Sequence, residues 1–194
     1  MSATPKPNAE ALRWQIEESS QPYQNDTLSL KVDKITLRDG EQIQYSSVER
    51  AEAVIVVPVT RDGDIVTVKQ YRYPVDEWCI EVPAGGMHDT GGEPLPDVAR
   101  SELREEIGAT CGRLTYIGFF YTAPSFTSEK CHVFLAEGVD TNHPPNREPS
   151  EQIKIQLAAA DEVVAMARSG KMMNAPCALA VLLCEPLLRE RGYI

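Results

Sequence analysis

Ser101-Glu-Leu-Arg-Glu-Glu-Ile-Gly108 is the stretch from which this chain is best read. At helical spacing, residues three and four apart share a face, so Glu105 and Glu106 both return to the side of Glu102. Ala99, Leu103 and Ile107 recur on the opposite stripe and are apolar, as in a helix packed on a core. Gly108 is the expected stop. Three carboxylates crowded on one stripe repel one another unless positive charge sits among them. A hard divalent cation such as Mg2+ supplies that charge and takes oxygen ligands. The competing reading is an acidic solvated face, the commoner fate of such a cluster taken alone.

The residues upstream reverse that balance. Glu81-Val-Pro-Ala-Gly-Gly86 reads as a strand end entering a glycine-rich loop, which continues through Gly91-Gly92-Glu93 toward the helix. Strand end, glycine loop, acidic residue and acidic helix, in this order, resemble the Nudix box. That pattern runs Gly, five residues, Glu, seven residues, then Arg-Glu-aliphatic-any-Glu-Glu-any-Gly-aliphatic. Here Glu93 is followed by the seven residues 94–100 and then by Ser101 to Ala109. Two departures stand out. The glycine-to-Glu93 gap is longer by one residue counted from Gly86, or by two from Gly85, and Ser101 replaces the box arginine.

Within that superfamily the chain resembles the ADP-ribose pyrophosphatase branch from about Val48 onward. The similarity is carried by Lys69-Gln-Tyr-Arg-Tyr-Pro74, Trp78-Cys-Ile-Glu-Val-Pro-Ala-Gly85 and Thr122-Ala-Pro-Ser-Phe-Thr-Ser-Glu-Lys130, with Ser125 where glycine is usual. The resemblance implies that Glu102, Glu105, Glu106 and the carbonyl of Ala84 hold Mg2+, with Mn2+ as a substitute. It implies that Arg72 binds the diphosphate, that Glu81 is an acid behind the metal ligands, and that Arg50 reaches the substrate of a neighbouring subunit. Guanidinium geometry suits two phosphate oxygens. A general base is expected outside the helix: Glu151, at the end of a loop over residues 139–150, or Glu129 as second candidate. For Glu81, Glu129 and Glu151 the plain alternative is a solvated charge. Tyr23 or Trp14 is a candidate to stack on the base, although packing suits either better. The implied fold is an α/β/α sandwich with a mixed sheet plus an N-terminal β-hairpin subdomain, and the implied assembly is a homodimer.

The implied reaction is hydrolysis of the diphosphate of ADP-ribose or a related nucleoside diphosphate sugar. Alternatives are the same chemistry on a UDP- or GDP-sugar, or a weakly active nucleotide-binding sensor, which Ser101 keeps in play.

Composition agrees with a small-molecule enzyme. A chain of 194 residues with 42% hydrophobic content can bury a substantial core. A formal charge of −10 argues against a nucleic-acid or membrane-surface role. No apolar run approaches a membrane span. Residues 1–9 lack a signal-peptide core, and five cysteines without paired-ligand spacing suit a reducing compartment, so a cytoplasmic protein is expected. His88, His132 and His143 are scattered and read as structural or surface residues.

Strand-like runs are read over 28–37 and 42–46 joined at Asp39-Gly40, a hairpin signal, then over 53–57 and 65–69 turning at Asp62-Gly63. Further strands are expected over 78–82, 114–121, 130–136 and 152–156, and helices over 160–168 and 177–189. The expected organisation is a disordered segment 1–12, a dimerising β subdomain 13–47 and a hydrolase domain 48–194.

Overall fold

A computed structural model describes residues 6–88, 91–146 and 152–194. Two compact units emerge, the first formed by the chain up to Ala51 together with Tyr121–Glu129, the second by Glu52–Phe120 and Lys130–Ile194.

The first unit is a three-stranded antiparallel sheet, β1 (Gln15–Gln24), β2 (Leu28–Thr36) and β3 (Gln42–Arg50), with β2 in the centre. The expected hairpin is β2–β3, in unbroken register from Leu28↔Arg50 to Thr36↔Gln42. Strand β1 was not legible. Its sequence QIEESSQPYQ has no apolar alternation, it is exposed along almost its whole length, and its pairing slips between Ile16 and Glu18 and again between Ser20 and Tyr23, around Pro22. Order also begins earlier than expected. Pro7–Ala11 form a short helix, α1, with proline at the position whose missing N–H costs nothing.

The second unit is built on β4 (Ala53–Thr60), β5 (Asp64–Arg72), β6 (Glu77–Glu81), β7 (Ala84–Gly86), β8 (Arg113–Tyr121), β9 (Lys130–Val139) and β10 (Ile153–Ala159). The sheet order is β10-β5-β4-β9-β8, with β4 and β9 parallel and β5 antiparallel to β10, so the sheet is mixed. Helix α2 (Leu95–Ile107) covers one face; α3 (Ala160–Ser169) and α4 (Ala175–Glu190) cover the other. Val54 to Val57 are essentially inaccessible, as expected of a central strand covered on both sides. Val54, Val56 and Phe134 pack against Val98, Ala99, Leu103 and Ile107 of α2. Ile55, Val57 and Leu135 face Val163, Val181 and Leu188. Each such side chain contributes about 1.5–3 kcal/mol on burial, and the two-residue alternation fixes which face each strand residue serves. The α/β/α sandwich is therefore the observed fold of this unit.

One irregularity positions the chemistry. Strands β4 and β5 leave their Asp62-Gly63 turn paired only at Val59↔Ile65 and then diverge. The chain fills the split itself: β6 pairs with β5 from Glu77 to Glu81, and β7 pairs with β4 through Ala84–Gly86. Residues 81–86 thereby cross from one strand to the other beneath α2.

Candidate active site

Helix α2 meets the crossing segment at its acidic face. Glu106 is 3% exposed, and its Oε1 accepts the Ala84 backbone N–H at 3.2 Å. Glu102 presses on the next residue so closely that a Cβ at Gly85 would fall inside its carboxylate. Only glycine tolerates that approach. Two of the three expected metal-binding carboxylates thus converge on one tripeptide, whose Ala84 was the expected carbonyl ligand. Glu105 is exposed on the same helix. Among the described residues no three His, Cys, Asp or Glu side chains are already gathered as a ligand cluster. Carboxylates repel in the absence of an intervening cation, and the donor set of carboxylates and a peptide carbonyl is all oxygen. It fits a hard divalent cation and suits a soft one poorly.

Glu81 ends β6 at 1% exposure and takes a bidentate clasp from Arg72 of β5, Nε to Oε1 at 2.8 Å and Nη2 to Oε2 at 2.5 Å. That hydrogen-bonded carboxylate pushes the Arg72 guanidinium further above its usual pKa. Arg72 keeps its outer edge accessible, with 38% of its side chain exposed. A planar fork anchored on one edge is aimed, not swinging. The sequence pointed to both residues but not to their pairing.

Helix α2 ends at Gly108, where φ is +63° and a Cβ would strike the His143 carbonyl. The chain beyond β9 is tied to this end: His143 N–H donates to Gly108 O at 3.1 Å and Asn146 N–H to Glu105 O at 2.9 Å. It re-enters the sheet as β10 opposite Gln70 of β5. Glu151, the expected base between these anchors, lies outside the described residues.

Arg50 and Glu129 both fall in the first unit, where Arg50 Nη1 pairs with Glu129 Oε1 at 3.2 Å. The Thr122 hydroxyl donates to Glu129 Oε2 at 2.8 Å. Both carboxylate oxygens are committed, which suits a group that orients an arginine. The same unit holds a cavity of about 420 Å³ whose lining includes Trp14, Tyr45 and Phe126.

Ser101 is exposed on α2. Of the two arginines nearest to Ser101 in sequence, Arg100 turns to Cys111, its Nη1 3.1 Å from Sγ and 3.4 Å from the carbonyl. Arg104 is exposed.

One polar chain was not foreseen. His132 Nε2 lies 2.8 Å from Glu52 Oε2, Tyr116 Oη lies 3.1 Å from His132 Nδ1, and Lys130 Nζ lies 3.2 Å from Glu52 Oε1. Only Lys130 and His132 are related by strand spacing; Glu52 and Tyr116 lie far from them in sequence, so nothing short of the fold brings the four together.

Residues 49–175 match the NUDIX domain family. The ADP-ribose pyrophosphatase of Bacillus subtilis is 32% identical over 83% of this chain and 86% of its own length. The methanol dehydrogenase activator of Bacillus methanolicus is 32% identical over 63% of this chain and 65% of its own length. A crystal structure described as an ADP compounds hydrolase superposes with a TM-score of 0.81 over 93% of this chain and 97% of that one, at 20% identity, a likeness of fold.

Proposed function

The chain belongs to the Nudix family and is a hydrolase of that family, and from that premise we propose that it cleaves the diphosphate of ADP-ribose or a related nucleoside diphosphate sugar. The products are a nucleoside monophosphate and a sugar phosphate. The observation that carries the reading is the convergence of Glu102 and Glu106 on Ala84–Gly85. Glu102, Glu105, Glu106 and the Ala84 carbonyl are the proposed ligands of Mg2+, with Mn2+ as a substitute. When bound, the cation neutralises diphosphate charge and lowers the pKa of water.

The chain's own groups do the rest. Arg72, held by Glu81, offers its outer edge to the diphosphate and orients it. Glu151 is the proposed base, taking the proton of the attacking water; the anchors at Gly108 and Glu105 and the return at Gln70 support this, since both ends of its segment start beside the acidic helix and the strand of Arg72. Glu129 is the second proposed base, and Arg50, its ion-pair partner, is proposed to reach the substrate of the neighbouring subunit. The N-terminal sheet is proposed to assemble a cytoplasmic homodimer, which light scattering at micromolar concentration tests: a fully active monomer overturns the assembly.

ADP-ribose, a UDP-sugar and a GDP-sugar incubated with enzyme and Mg2+, with products resolved by chromatography, test the reaction. Nucleoside monophosphate and sugar phosphate in equal amounts are expected from at least one. No cleavage of any, or release of free sugar, overturns the reading.

A further inference from the structure

We propose that Cys177 is a positioning residue: its thiol, on the α4 side of the sheet, fixes the crossing at Val82–Ala84 and so sets the direction of the Ala84 carbonyl. The proposal rests on the metal-site reading above and adds to it the group that holds one ligand in place from behind.

The ladder decides where Ala84 points. The Val56 N–H donates to Pro83 O at 2.9 Å, and the Met87 N–H donates to Glu52 O at 2.8 Å. Hydrogen-bonded and non-hydrogen-bonded pairs alternate along an antiparallel ladder, so Ile55↔Ala84 belongs to the pairs without hydrogen bonds. Both the N–H and the C=O of Ala84 therefore face away from β4. The N–H meets Glu106 Oε1 there, and the carbonyl leaves along the same edge, beside the acidic face of α2.

Strand β7 is only three residues long, so that direction is no firmer than the chain leading into it. Val82, 1% exposed, precedes a proline. The proline confines it to extended backbone and leaves its carbonyl as the sole polar group of the Val82–Pro83 peptide. A buried carbonyl needs a donor. The Cys177 thiol supplies one at 3.6 Å, within reach for sulfur. Successive peptide groups of the crossing are thus held from different directions: Val82 from α4, Pro83 from β4 and Ala84 from α2.

The sulfur is fixed and stays a donor. Asn174 caps α4, its side-chain oxygen accepting the Cys177 N–H at 3.2 Å, which sets the first turn of the helix. Cys177 is 1% exposed. Burial foremost, with Glu81 nearby, pushes its thiol far above the usual cysteine range, so it remains S–H at any working pH. Nucleophilic attack and metal ligation both need the thiolate, which leaves hydrogen-bond donation as the chemistry open to this group.

The test measures Mn2+ binding without substrate, from the paramagnetic resonance signal of the free ion, in wild type, Cys177→Ala, Cys177→Val, Cys177→Ser and Cys184→Ala. Loss of the donor leaves a buried carbonyl unpaired and the crossing freer, so Mn2+ is expected to bind about 5-fold more weakly to the alanine and valine variants at position 177. Serine, a donor on a shorter arm, is expected to fall between them and wild type. Cys184 lies further along α4 in the same buried cluster. Cys184→Ala opens a comparable cavity and is expected to lower Tm while binding Mn2+ within about twofold of wild type. With ADP-ribose, the Mg2+ requirement is expected to rise in the donor-free variants while kcat at saturating Mg2+ stays within about twofold. Wild-type Mn2+ affinity in both donor-free variants overturns the pin alone. So does a loss in Cys177→Ala that valine restores, or an equal loss in Cys184→Ala, since either makes packing the cause. Glu106→Gln is the reference for the metal site itself: if wild type binds Mn2+ no better than Glu106→Gln, the parent reading falls and this proposal with it.

Discussion

Glu106 and Glu185 are both sunk into helices, on opposite faces of one sheet, and the fold holds them in opposite ways. Glu185 of α4 is clasped by two guanidinium groups, Arg168 Nη2 at 2.6 Å and Arg189 Nη2 at 2.7 Å. Glu106 of α2 instead meets a peptide N–H of a glycine-rich crossing, with the carboxylate of Glu102 pressed against the adjoining residue. On α4 negative charge is cancelled where it arises, and the result is a strap between two helices. On α2 negative charge is concentrated beside backbone with no side chain in the way. That difference is the one expected between a carboxylate that serves the fold and a proposed ligand of a cation.

The comparison breaks first at Glu106. Glu106→Gln is expected to reduce turnover on the order of 100-fold or more, equivalent to about 2.7 kcal/mol of transition-state stabilisation, and to raise the Mg2+ concentration needed for half-maximal rate. Glu185→Gln is expected to leave turnover within twofold. Initial rates over a Mg2+ titration decide it. Near-normal turnover in Glu106→Gln at limiting Mg2+ removes α2 from the metal site.

Glu81 tests whether an ion pair can belong to both categories. It is as buried as any core residue, yet its partner Arg72 faces outward. Glu81→Gln keeps the shape but removes the charge that aims the guanidinium. The expected outcome is a loss of about 10-fold in kcat/KM, together with lower thermal stability, since an ion pair broken at a buried member is costly. A fall in stability with kinetics unchanged would place Glu81 with Glu185.

What the sequence displayed and what it hid follow the same division. The acidic helix was legible because Glu102, Glu105 and Glu106 repeat at the helical period against Ala99, Leu103 and Ile107, and every one of those apolar residues is buried. Strands β4 and β9 were legible as apolar runs. Strand β1 was not, because an exposed edge strand with bulges imposes no pattern on its residues. The Arg72–Glu81 clasp and the Glu52–His132–Tyr116 chain depend on which strands become neighbours. The split between β4 and β5, which creates the crossing at 81–86, has no local signal at all. Elements leave periodic traces, whereas side-chain partnerships across them do not.

A gentler test exploits pH at Glu185. The Arg189 hydrogen bond foremost, helped by Arg168, lowers its pKa below the ordinary 4.5. A depressed folded-state pKa stabilises the fold above the unfolded value, and that contribution is lost as pH falls through the folded value. The Tm of Glu185→Gln is therefore expected to sit a few degrees below wild type at neutral pH, on the order of 3 °C. The gap should narrow as pH drops below about 4.5. A constant gap across that range would mean that packing, not charge, is what the glutamine disturbs.

The smallest expected effect is at Ser101, where the acidic helix departs from the family pattern. Arg100 is turned away to Cys111, so it does not stand in for the box arginine. Ser101 is exposed, and an added side chain there stays in solvent, so Ser101→Arg should leave the fold intact, with a stability change within about 0.5 kcal/mol. Position 101 lies one helical turn before Glu105, and an arginine there can pair with that carboxylate for roughly 0.3 kcal/mol. The pair would limit the rotamers open to Glu105, the most exposed of the three proposed ligands, before a cation arrives. The expected result is a fewfold lower Mg2+ requirement or a fewfold higher turnover, read from rates at limiting Mg2+ beside a melting curve. Lower stability with no kinetic gain would show that the surroundings of α2 have repacked around serine and that the metal site draws its order from the Ala84–Gly86 crossing instead.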